Sequence, residues 1–231
     1  MEYSKIKKAI KELTSGRPIM IHDFKNREDE IDLVYYAKHV GIDEVYTLRT
    51  LAGGLICFVI DLRIARELNL PFFYELLQNT NLSKLIKIPK YGEPPAFSLW
   101  INHVDVKTGI SDKDKALTIN KFFEVVKLVH QGDVELARKK LLEEFMAPGH
   151  VPILISRGIE KRHGHTELSI ALAKIGNLIP AMVIAEMLDK GLSLKLEKAI
   201  SIAKKRNIIL LTGDEVIKAQ RRLRLAQNRC C

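Results

Sequence analysis

The chain predicts an α+β fold, a mixed β-sheet packed with helices in one domain over residues 1–231. Three observations carry that expectation. Short runs rich in β-branched and apolar residues recur from end to end. Helical patterns lie between them without the strict alternation of a parallel α/β fold. The length of 231 residues suffices to bury one sizeable core and suits a single domain.

The elements follow in order. A helical pattern covers 3–14, and Pro18-Ile19-Met20-Ile21 opens a strand over 18–22. Leu33-Val34-Tyr35-Tyr36 carries a strand over 30–37, a helix is expected over 43–52, and Gly54-Leu55-Ile56-Cys57 begins a strand over 54–60. A helix is expected over 61–79. Lys87 to Pro95, punctuated by Pro89, Gly92 and Pro94, reads as the longest loop, either a lid over substrate or a surface excursion. A strand over 97–105, a helix over 120–145 and a strand over 151–157 through Pro152-Ile153-Leu154-Ile155 come next. Thr166 reads as the N-cap of a helix over 165–175 that Gly176 closes as its C′ residue. Strands over 181–187 and 207–212 and helices over 193–206 and 213–227 complete the chain, which holds no internal repeat.

Composition narrows the function classes. A net charge of +9 suits an anionic substrate, and with the run Gln220-Arg221-Arg222-Leu223-Arg224 it also invites nucleic acid. No zinc-finger spacing and no aromatic-rich RNA-binding pattern accompanies it, so nucleic acid is not the expected partner. There is no apolar run of about 18 residues, which a membrane span needs, and no charged-then-apolar leader. Cys57, Cys230 and Cys231 form no disulfide framework and no zinc spacing. Together these features predict a cytoplasmic protein that binds no membrane.

Two segments carry the chemistry. In Arg27-Glu28-Asp29-Glu30-Ile31-Asp32, strand alternation would place Glu28, Glu30 and Asp32 on one face. Carboxylates so crowded need a cation, an arginine or solvent to compensate them, although the run also reads as a solvated hairpin turn. In Arg162-His163-Gly164-His165-Thr166-Glu167, free amides at a helix start, the Arg162 guanidinium and the Thr166 hydroxyl suit a phosphate. His165, aimed by a short turn, is a candidate metal ligand or proton carrier, whereas His163 is free to face water. His150, in Pro148-Gly149-His150-Val151 at the mouth of a strand, is a candidate for acid–base work. These features specify metal, phosphate and proton transfer. They leave open which phosphosugar chemistry is run, an isomerase or aldolase included.

Through these segments and others the chain resembles the 3,4-dihydroxy-2-butanone 4-phosphate synthase family of riboflavin biosynthesis, in its archaeal-type monofunctional form. Arg27 to Asp32, Gly54 to Cys57, Thr108-Gly109-Ile110-Ser111, Pro148 to Val151 and Arg162 to Glu167 match family motifs in family order across nearly the whole chain. The resemblance implies conversion of D-ribulose 5-phosphate to L-3,4-dihydroxy-2-butanone 4-phosphate and formate. It implies Mg2+ or Mn2+, two ions per site, on Glu28 and His165. It implies catalytic roles for His150, Glu186 and Asp32. Substrate contacts would come from Arg27, Glu28, Asp32, Cys57, Thr108, Arg162, His163, Gly164, His165, Thr166 and Glu186. A homodimer is implied, and a monofunctional protein is expected because only a helix, a strand and a final helix follow the last matched position, Glu186. Ile31 stands where the family usually has glycine, and on a strand it would point away from Glu30 and Asp32 into the core.

Overall fold

The apolar runs pair into one sheet in a computed structural model that describes residues 2–228. β1 (Ile19–His22), β2 (Ile31–Tyr36), β3 (Cys57–Asp61), β4 (Phe97–His103), β5 (Phe145–Ser156), β6 (Ala181–Glu186) and β9 (Ile209–Thr212) form a seven-stranded sheet in the order β4-β5-β3-β6-β2-β1-β9. The sheet is mixed: β3 runs parallel to β5 and β1 to β9, and the other neighbours are antiparallel. Two further strands, β7 (Leu188–Asp189) and β8 (Leu192–Ser193), make a small hairpin. Every side chain of β1, β2 and β3 is buried, which is why these strands read as largely apolar runs, with His22, Asp32 and Asp61 as their buried polar members. Ile31 is fully buried, as its place on the strand requires.

Two groups of helices cover the sheet. α1 (Glu2–Thr14), α7 (His165–Ile175) and α9 (Gly213–Asn228) pack together, and α5 (Asp112–Gln131) packs with α2 (Ile42–Thr47) and α6 (Val134–Glu144). Phe58 of β3 meets Phe122 of α5 edge to face with ring centroids 4.9 Å apart, and neither side chain is exposed. α8 (Leu196–Arg206) leads into β9.

The differences from expectation have local causes. The pattern over 120–145 is two helices: Gly132 at φ +94° ends α5 and Asp133 caps α6, while Ser111 starts α5 at Asp112. The pattern over 61–79 divides into α3 (Leu62–Glu67) and α4 (Phe73–Gln78), because Asn69 takes φ +56° just before Pro71. β5 begins at Phe145 rather than near 151; its first half pairs with the end of β4 across a register shift, and Pro148 and Gly149 mask it as a strand. Gly164, not Thr166, caps α7, and Thr166 lies inside the first turn. Gly176 keeps φ at −81°, so the left-handed position falls to Asn177. Among the described residues no helix is long and apolar enough to cross a membrane. Cys230 and Cys231 lie outside the described residues.

Candidate functional site

The turn before β2 folds around one carboxylate. Asp23, whose side chain is fully buried, accepts from the Glu30 amide at 3.0 Å, the Glu28 amide at 3.3 Å and Arg27 Nη1 at 2.9 Å. Asp29 takes φ +54° within this turn and meets His22 Nε2 at 2.8 Å. Residues 27–30 therefore lie in a turn before the strand, and the expected alternation does not reach them. Glu30 accepts from the Ser193 hydroxyl at 2.5 Å, while Glu28 turns toward Arg27 Nη1, also at 2.5 Å. Only Asp32 lies on the strand.

α7 brings His165 against the acids. Its Nδ1 is 3.5 Å from Asp32 Oδ1 and 3.7 Å from Glu28 Oε2, and its Nε2 is 3.2 Å from the Glu30 carbonyl. Burial pushes Asp32 up to about 8, with Glu186, Glu28 and Glu30 adding to the rise and His165 opposing it. Burial pulls His165 down, but the charges of Asp32 and Glu28 outweigh it and raise it to about 9. Burial pushes Glu28 up, yet His165 and Arg27 bring it down to about 2. Asp32 and His165 thus share their protons as a pair, and near neutrality the imidazole is charged while Asp32 exchanges its proton readily. Asp32 Oδ1 is buried with no hydrogen-bond partner.

Glu186 stands opposite Asp32 in the β2–β6 register. Its carboxylate accepts from the Leu55 amide at 2.8 Å and its carbonyl from the Gly54 amide at 2.9 Å, which fixes the approach to β3. Cys57, at the start of β3, is buried, and burial together with Glu186 and Asp32 raises its thiol far enough to keep it neutral.

Two arginines converge beside the acids. The side chains of Arg27 and Arg162 are each 6% exposed. A Cβ placed on Gly164 would overlap Arg162 Nη1 and Arg27 Nη2, so only glycine leaves both guanidinium groups their positions. Arg162 Nη1 donates to Glu167 at 2.6 Å, and Arg27 Nε donates to Glu93 at 2.8 Å. Arg27 Nη2 and Arg162 Nε are buried without a hydrogen bond. A cleft of about 290 Å³ opens here, lined by Phe24, Asn26, Arg27, Tyr91, Glu93 and His163, among others. His163 is half exposed, and its ring meets Phe24 edge to face. A larger cleft of about 1060 Å³ lies elsewhere, between α4, β4 and the loop before β4, but it is apolar and holds none of these groups.

His150 and Thr108 make a second group, on the side of the outer strands. Asn102 joins them: its Oδ1 accepts from the His150 amide at 2.8 Å, and its Nδ2 is 3.1 Å from His150 Nδ1 and 3.5 Å from the Thr108 carbonyl. Asp114 holds the Thr108 turn through the Thr108 and Gly109 amides at 3.2 and 3.0 Å. Both His150 and Thr108 are exposed. Register places the His150 segment of β5 at the same end of the sheet as Cys57 and Glu186. Among the described residues no hydrogen bond or ion pair links this group to the acids around His165. Asp23, Glu93 and Asn102 escaped the reading of the sequence. Each acts on a partner made adjacent by folding, and only Asp23, four residues before Arg27, leaves a local trace.

Asp23, Glu28 and His165 offer ligand atoms within 4.8 Å of one another, a donor set that suits a hard divalent ion. Asp23 already accepts three hydrogen bonds, so it serves the turn, and Glu28 and His165 are the freer donors.

Fold and site together define a class: an α+β protein with paired arginines for an anion beside a carboxylate–histidine cluster fit for a cation and for proton exchange. The family model for 3,4-dihydroxy-2-butanone 4-phosphate synthase matches residues 7–219. A 3,4-dihydroxy-2-butanone 4-phosphate synthase of Archaeoglobus fulgidus is 40% identical over 230 residues, covering 94% of this chain and 94% of that protein. One of Methanosarcina mazei is 38% identical, covering 93% of this chain and 90% of that protein. The chain belongs to the 3,4-dihydroxy-2-butanone 4-phosphate synthase family, whose members are lyases of riboflavin biosynthesis. Among solved structures, RibBX of A. baumannii, a two-domain 3,4-dihydroxy-2-butanone 4-phosphate synthase, has a TM-score of 0.73 at 25% identity; the match covers 92% of this chain and 56% of that one, so this chain spans about half of it.

Proposed function

We propose that the chain converts D-ribulose 5-phosphate into L-3,4-dihydroxy-2-butanone 4-phosphate and formate. The observation that carries the reading is the meeting of Arg27 and Arg162 at Gly164, next to the cluster of Glu28, Asp32 and His165. An anion and a reacting sugar can therefore be held side by side. The phosphate would rest on both guanidinium groups, the first amides of α7, the Thr166 hydroxyl and the His163 segment. Glu28 and His165 would hold the divalent ions, two per site, magnesium or manganese, with the imidazole favouring manganese. A cation there supplies Lewis-acid stabilisation of charge that develops on the sugar oxygens.

The chain's own groups supply the proton transfers. Asp32 Oδ1, buried and without a donor, is the atom to take the proton from the carbon next to the ketone, and its raised pKa lets it give one back. Glu186 lies opposite and is aimed by the Leu55 amide, so it serves the dehydration that follows. His150, oriented by Asn102, acts at the far end of the sugar during rearrangement and loss of C4 as formate. Cys57, neutral at the floor of the site, shapes it and does not attack. Thr108 borders the substrate on the His150 side.

A homodimer follows from the same reading. β4 is one of the two edge strands, its Trp100 is 39% exposed, and the apolar cleft beside it suits a second copy. The composition fits a cytoplasmic enzyme. The test is to add D-ribulose 5-phosphate to the protein with magnesium, with manganese and after chelation, and to assay formate. Formate with either ion and none after chelation supports the reading; full activity after chelation, or no formate with either ion, overturns it.

A further inference from the structure

We propose that Glu93 is an exchangeable internal counter-ion of the arginine pair, a loop carboxylate that holds the anion subsite and leaves it when a phosphate arrives. This rests on the reading that Arg27 and Arg162 receive the substrate phosphate.

Glu93 belongs to the loop between Lys87 and Pro95, and its contacts are those a bound phosphate would make. Its Oε2 accepts from Arg27 Nε at 2.8 Å and lies 3.7 Å from Arg162 Nε. Its Oε1 accepts from the His163 amide at 3.3 Å and lies 3.9 Å from His163 Nδ1. The carboxylate lines the polar cleft and is 22% exposed, so it has solvent to move into. The match is incomplete: Arg27 Nη2 and Arg162 Nε remain buried without a hydrogen bond. One planar carboxylate with a single charge cannot satisfy both forks, whereas a phosphate brings three strong acceptor oxygens and a charge near −2.

The loop is built so that the carboxylate can go without unseating the rest. Pro94 and Pro95 carbonyls accept from Arg157 at 3.3 and 3.0 Å, and that guanidinium lies 3.9 Å from the centre of the Phe72 ring. Tyr91, on the other side of Glu93, covers the Arg27 guanidinium at 4.7 Å. The loop is thus pinned on both sides of a residue whose own hold is ionic. A neutral sugar or a weak monoanion would not displace Glu93, so the device selects for a phosphorylated substrate.

Titration of inorganic phosphate into the full chain, read by calorimetry, decides the matter. Glu93→Gln keeps the size and the hydrogen-bonding oxygen and removes the charge. It is expected to bind phosphate roughly tenfold or more tightly than the natural chain, the scale of a charge-assisted hydrogen bond no longer competing. Glu93→Ala is expected to move affinity in the same direction and serves as the second variant should Gln fail to fold. A residue that merely props the loop would weaken binding when replaced, so the sign separates the two roles. Unchanged or weaker phosphate binding in the variants, with the natural chain still binding, overturns the proposal and leaves the phosphate subsite standing. No phosphate binding by the natural chain or the variants overturns both.

Discussion

Asp32 and His165 are held as a pair by burial and by the acids around them, and this makes the site responsive to pH. His165 has its pKa raised from an ordinary 6.5 to about 9, so its contribution to stability is complete below 6.5 and is lost as pH rises through 9. Asp32, raised from 3.8 to about 8, acts in the same direction over a lower window. Metal-free protein is therefore expected to lose thermal stability between pH 6.5 and 9, and His165→Asn to flatten that dependence; thermal unfolding across pH checks it. Glu28→Gln removes a charge that favours the imidazolium, so the His165 pKa, followed by NMR, should fall. Both Glu28→Gln and His165→Asn should lower turnover by about a hundredfold to a thousandfold, the scale on which loss of transition-state electrostatics acts, with the fold retained by circular dichroism. His150→Asn should bind substrate and fail to turn it over. These residue types were legible in the sequence because acids, arginine and histidine stand within six-residue motifs. The left-handed Asp29 was not legible, and it sends Glu28 to His165 and Glu30 to Ser193.

At the scale of elements, strands buried on both faces announce themselves as apolar runs, and β1, β2 and β3 were readable for that reason. Boundaries were harder where a single residue breaks a longer pattern. Gly132 divides one helical stretch into α5 and α6, and Pro148-Gly149 hides the first half of β5. The contact between Phe58 and Phe122 ties β3 to α5. Phe58→Ala should cost about 3–5 kcal/mol by urea unfolding, the range for emptying a buried aromatic site. Gly164→Ala acts at the cap of α7. Its φ of −81° tolerates alanine, but the new methyl group must push Arg162 and Arg27 apart. Phosphate affinity should fall at least tenfold, a shift set by loss of one charge-assisted hydrogen bond, while the midpoint of thermal unfolding changes little. Equal affinity would show that the two arginines do not act together.

At the scale of the whole molecule, the sheet gathers residues from distant segments to one end. β2 supplies Asp32, β6 supplies Glu186, β3 begins with Cys57, and the start of α7 with the turn before it lays His165 and Arg162 beside them. Such gathering follows from strand order, which local patterns do not encode, so Glu93 and Asn102 became visible only with the fold. The position of β4 at the sheet edge, with the apolar cleft beside it, leads to an expected solution mass of twice the 26.3 kDa chain by analytical ultracentrifugation. A monomeric mass at micromolar concentration would remove the homodimer. In the proposed reaction this end of the sheet excises one carbon from a phosphorylated ketose, and a labelled substrate follows that carbon. D-ribulose 5-phosphate carrying 13C at C4 should give 13C-formate in the presence of magnesium or manganese, and an unlabelled four-carbon ketone phosphate. Label retained in the phosphorylated product, with no labelled formate, would contradict the account and assign the site to another phosphosugar reaction.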